Sequence, residues 1–135
     1  VTRPGGIACV LDVDDGTIFI HPESRQWQEI EKRVARAQAQ FGGDRHVGRK
    51  LMGYFLETGL PRVRVDIVPV TTQMLGPDTF FDIVFGFKQQ HLKRAKDWDE
   101  VTQNAFAGLK QSLGEKGAFA SENIFAVHAR VPELS

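Results

Sequence analysis

The densest chemistry in the sequence is Asp12-Val13-Asp14-Asp15-Gly16-Thr17, three acids in four positions closing an apolar run. Carboxylates at the carboxyl end of a strand can hold a metal or handle a proton, because that end of an α/β sheet is where ligands sit. The competing reading has the same acids capping a turn and facing solvent. Asp14 is one candidate catalytic group. His21, in the loop that follows, is the other, as a general base, against the alternative of a solvated loop histidine. His46, His91 and His128 are too scattered for a sequence-local metal motif such as H-E-x-x-H, and they read as surface residues.

Three further stretches invite chemistry. Gly42 to Lys50 has the glycines and the lysine of a phosphate-binding loop. Arg49 interrupts the required Gly-Lys-(Ser/Thr) run, however, and the stretch follows a helix instead of a strand, so that reading is rejected. Arg49 is expected to pair with an acid or to tether the loop before its helix. Phe80, Phe81, Phe85 and Phe87, with Trp98 and Phe106 on the next helix, occupy more than one helical face. Most should be core, and one face is available to cover a flat apolar acceptor. The basic stretch Lys88 to Lys96 runs straight into Asp97, Asp99 and Glu100, which makes it a balanced, solvated helix end.

The elements that must position these groups follow from periodicity. Residues 7–13 form an apolar run closed by Asp12 and Asp14, as in a strand buried on both faces. Ser24 caps a helix over 25–41, with Trp27, Ile30, Val34, Ala37 and Phe41 on one side, and Gly42-Gly43 stops it. A shorter helix covers 47–58 and ends at Gly59. Residues 62–70 alternate as a half-buried strand. Pro77 and Asp78 open another helix. Asp97 and Glu100 have capping-box spacing ahead of a helix containing Val101, Ala105, Phe106, Leu109 and Leu113. The last strand is 124–131, with Phe125, Val127, Ala129 and Val131 on one face, closed by Pro132. The expectation is an α/β chain of about three strands and four helices, in the order strand, two helices, strand, two helices, strand. With 135 residues and no linker or internal repeat, it reads as a single domain over 1–135.

Composition narrows the partners. Lys+Arg and Asp+Glu both total 17, so no net field holds a nucleic acid or an anionic membrane. No apolar run approaches the about 18 residues that span a bilayer. The single cysteine, Cys9, can form no internal disulfide and is expected buried in its apolar run, which points to a reducing, cytoplasmic setting.

Four landmarks in order then carry a resemblance: Arg3-Pro4-Gly5-Gly6 before a strand, Gly48-Arg49-Lys50-Leu51 opening a helix, Thr58-Gly59-Leu60-Pro61-Arg62-Val63 leading into a strand, and Phe125-Ala126-Val127-His128-Ala129-Arg130 near the end. Together they resemble the C-terminal half of class I S-adenosylmethionine-dependent methyltransferases acting on small molecules, a Rossmann-like fold. The resemblance implies that the last strand inserts antiparallel between the family's fifth and sixth. It implies an acceptor lined by Asp15, Arg49, Phe81 and Phe85, and S-adenosylmethionine as the intact enzyme's cofactor. The glycine-rich cofactor turn, G-x-G-x-G, is absent, so no residue here is assigned to the cofactor and none is expected bound to this chain alone. No metal is implied either. Only Val1-Thr2-Arg3 precede the Pro-Gly-Gly turn, without an initiator Met, so the sequence reads as a piece of a larger enzyme starting mid-fold. The bare edge of its first strand is expected to take a missing N-terminal half, a second copy or a swapped assembly. Two alternatives stand beside this reading. One is a non-catalytic α+β interaction or dimerisation module. The other is a haloacid-dehalogenase-like phosphatase, whose Asp-x-Asp motif Asp12 and Asp14 resemble.

Overall fold

The computed structural model describes residues 2–134; Val1 and Ser135 lie outside them. Along the chain come β1 (Ile7–Val13), a 3-10 turn (Asp15–Thr17), β2 (Phe19–His21), α1 (Arg25–Ala39), a second 3-10 turn (Gly48–Lys50) and α2 (Leu51–Glu57). Then follow β3 (Arg64–Thr71), α3 (Thr72–Leu75), α4 (Pro77–Arg94), α5 (Glu100–Leu113) and β4 (Phe119–Arg130). Among the described residues the expected three strands and four helices thus become four strands and five α-helices. The additions, β2 and α3, are three and four residues long, too short for periodicity to mark.

β4 organises the sheet. Val127 pairs with Val10 of β1 and with Val65 of β3, so those strands occupy opposite edges of β4. Ser121 pairs with both Phe19 and Thr71, which places β2 beyond β1 on the same edge. Every pairing is antiparallel.

Alternation along β4 separates two faces. Phe125, Val127 and Ala129 pack with Leu51 and Phe55, so α2 covers that face towards the end of β4. On the other face, near the start of β4, Ala120 joins Ile20 and the apolar sides of α1, α4 and α5 in the larger core. The remainder of this second face is open: Ile7 and Leu11 are 63% and 62% exposed and Val68 is 46% exposed. β1 therefore has the composition of a buried strand but lies at an edge, paired only with β4 among the described residues. Cys9, expected buried, is exposed on it.

Local signals account for most boundaries. The Ser24 hydroxyl accepts from the Trp27 amide at 3.1 Å to start α1. Gly59, at φ +71°, follows α2 in the left-handed region. The expected cap of α5 at Asp97 is displaced by two residues: Asp99 is the N-cap, accepting from the Thr102 amide at 2.8 Å. Asp97 instead pairs with Arg33 of α1, which also holds Asp99.

Candidate functional site

Asp14 follows β1 and caps the turn behind it, accepting from the Gly16 amide at 2.9 Å. Arg49 grips the same carboxylate twice, Nε to Oδ2 at 2.5 Å and Nη2 to Oδ1 at 2.8 Å, and adds its backbone amide at 3.2 Å. His46 Nδ1 lies 3.2 Å from Oδ1. Asp14 is fully buried, whereas the Arg49 and His46 side chains stay about half exposed. The Arg49 hydrogen bonds outweigh burial and, with His46 and the two amides, hold the Asp14 carboxyl well below the usual carboxylate range.

Two glycines make this approach possible. A Cβ on Gly16 would sit 2.2 Å from Arg49 Nη2 and 3.1 Å from His46 Nδ1. A Cβ on Gly48 would meet the Phe125 ring at 2.8 Å and the Val13 carbonyl oxygen at 2.9 Å, so only glycine lets this turn lie against the sheet and carry Arg49 to Asp14.

Asp15 turns inward. Arg45 Nε donates to its Oδ2 at 2.9 Å, and Lys88 Nζ of α4 lies 3.1 Å from its Oδ1. Arg45 also donates to the Glu31 backbone carbonyl at 2.9 Å, joining α1 to the cluster. Lys88 donates to the Val84 carbonyl at 2.7 Å and stands 3.9 Å from Glu122 Oε1. Beside this cluster, a cleft of about 330 Å³ opens between the turn and α1, lined by Asp15, Gly16, Ile20, Ser24, Trp27 and Glu31 among others.

Of the residues singled out from sequence, Asp14, Asp15 and Arg49 come together. Both acids cap or buttress the turn, but neither faces solvent. Arg49 does pair with an acid. Asp14, with both oxygens engaged and its carboxyl held well below the usual carboxylate range, is too weak a base to take a proton and acts as an orienting group. Nor is it free to act with Asp12 on a phosphate. His21 lies exposed on β2, outside this constellation. Phe81 and Phe85 belong to the larger core, packed against Phe106 and Trp27. Phe85 is fully buried and offers a ligand no face, and Phe81 is nearly so.

Four participants escaped sequence reasoning. His46 and Arg45 reach the acids from 32 and 30 residues away. Lys88 reads from sequence as part of a solvated helix end, yet it is fully buried. Its signal was position: Phe81, Val84, Phe85, Lys88 and Leu92 form one helical stripe with a lysine inside it. Glu122 likewise occupies an inward position between Ala120 and Ile124. Among the described residues no group of three or more His, Cys, Asp or Glu could hold a metal ion, and no helix is long and apolar enough to cross a membrane. No protein-family model matches the chain, and no curated protein matches it.

Proposed function

We propose that this chain is the acceptor-side, C-terminal portion of a class I S-adenosylmethionine-dependent methyltransferase acting on a small molecule, a part of a Rossmann-like fold that is inactive alone. The observation that carries the reading is the sheet: β4 lies antiparallel between β1 and β3, the arrangement the resemblance implies for the last strand. The state of β1 supports it. An apolar strand with one free edge and an open face fits a neighbouring strand and a covering layer from a cofactor-binding half.

This chain's own residues do not fit the cofactor. The chain has no G-x-G-x-G turn, and a Cβ on Gly16 in the turn after β1 would meet Arg49 and His46. What the chain supplies is the acceptor side. The cleft beside Asp15 lies at the carboxyl end of β1, where an α/β sheet presents ligands. His46, about half exposed beside Asp14 and outside that cleft's lining, is the base candidate. With Nδ1–H donating to ionised Asp14, Nε2 is left to take a proton from an acceptor.

The test is calorimetric titration of S-adenosylmethionine into this chain and into the chain joined to its upstream coding sequence. Binding and methyl transfer by the joined form alone support the reading, and His46→Ala in that form should lower kcat without weakening cofactor binding. A reading frame with no cofactor-binding half upstream, or no binding by either form, overturns it and leaves a module that works through the β1 edge.

A further inference from the structure

Asp15, Lys88 and Glu122 meet between β4 and α4, and each is at least nine-tenths buried. Lys88 spends one proton on the Val84 carbonyl, and Arg45 takes Asp15 Oδ2. Two oxygens lack a hydrogen bond of good geometry, Asp15 Oδ1, which has the Lys88 ammonium 3.1 Å away, and Glu122 Oε1, 3.9 Å from the same nitrogen. Buried acceptors left in this state are rare and costly. The two carboxyl groups face the same Lys88 ammonium, and each bears on the other's protonation. Two carboxylates cannot satisfy one another, but a carboxylic acid and a carboxylate can, so one added proton serves both orphaned oxygens.

We propose that Asp15 and Glu122 form a buried proton-binding site, in which Glu122 carries a single shared proton and donates it to Asp15, fastening α4 and the turn after β1 to β4. The inference stands apart from the methyltransferase reading. The facing charges support it. Burial pushes the Glu122 carboxyl up to about 8, the Lys88 ammonium and the more distant Arg45 opposing and Asp15 adding to the rise. Burial alone would also raise Asp15, but Lys88, Glu122 and Arg45 together carry it below its ordinary value. Lys88 faces the pair from α4 and Arg45 from the segment before α2, while Glu31 of α1 reaches it through Arg45.

The sign follows from proton linkage. A carboxyl whose folded value is raised stabilises the fold fully below its unfolded value of 4.5, and that stability drains away as pH rises through about 8. The experiment is a carbon-detected NMR titration of the side-chain carboxyls in the full chain, paired with urea unfolding of wild type and Glu122→Gln across the same range. The Gln side chain keeps a donor for Asp15 and cannot titrate. At about pH 6 the Glu122 carbon should show the acid form, and between about pH 6 and 9 the wild-type unfolding constant should rise more than tenfold while that of E122Q stays nearly flat. An ionised Glu122 carbon at about pH 6 overturns the proposal, whether or not the variant folds.

Discussion

At the residue scale the structure turns on how Asp14 is held. A buried carboxylate keeps its charge only while donors surround it, and Arg49 supplies three of them from a half-exposed position. Arg49→Ala removes the two guanidinium donors and leaves the charge buried against the amides of Gly16 and residue 49 and His46, and should cost about 2–3 kcal/mol in urea unfolding at neutral pH. The pH dependence separates this cause from lost packing. Because the Asp14 carboxyl is depressed in the fold, its stabilisation is complete above its ordinary value of 3.8 and is lost as pH falls through the folded value. The gap between wild type and R49A should therefore narrow as the pH is lowered below about 4, and a gap independent of pH would remove the ion pair as its cause. Sequence made Asp14, Asp15 and Arg49 conspicuous because acids after an apolar run are locally visible. His46 and Arg45 were not, since a contact across some thirty residues leaves no periodic trace.

At the element scale the α5 cap offers a clean comparison. Asp97 and Asp99 both bind Arg33, but only Asp99 also accepts from the Thr102 amide. Asp99→Ala should cost about 1–2 kcal/mol and Asp99→Asn distinctly less, because asparagine still caps. If Asp97→Ala proved the costlier alanine, the assignment would fail. Gly48 sets the contact between the turn before α2 and the sheet. Gly48→Ala drives a methyl group into the Val13 backbone and the Phe125 ring, and should destabilise by about 1–3 kcal/mol, against a small effect for Gly53→Ala, whose Cβ meets nothing within 4 Å. Thermal unfolding of the two variants decides it. The long elements are legible: β1, α1, α2, β3 and α4 follow the apolar spacing, and Ser24 and Gly59 mark ends through local hydrogen bonding and backbone freedom. β4, by contrast, begins at Phe119, five residues before the expected 124, because Ala120 and Glu122 turn to the opposite face from Val127 and Ala129. The errors share a cause. Asp97 and Asp99 satisfy the same capping chemistry two residues apart, and a tertiary partner, Arg33, separates them. The aromatics on α4 read as surplus to one helical face until α1 and α5 are seen flanking that helix.

For the whole molecule, the question is what an exposed apolar strand does in water. β1 combines a free backbone edge with Ile7 and Leu11 on an open face, and the second face of the sheet continues into Val68. Such an edge is a template for further pairing, and such a face gains by association. The isolated chain is therefore expected to self-associate with rising concentration in sedimentation velocity, the more so because its net charge is zero. Leu11→Lys places a charge at the centre of the open face. Since the Leu11 side chain is already 62% exposed, the substitution should leave thermal stability within about 0.5 kcal/mol while shifting the chain towards monomer. If the proposed cofactor-binding half precedes it, the joined form should respond in the opposite way. There Leu11 would be buried against the added layer, so the same lysine should cost about 2 kcal/mol or more and impair folding of the longer form. A wild-type chain that stays monomeric at every concentration, together with a lysine tolerated in both forms, would mean that nothing covers this face.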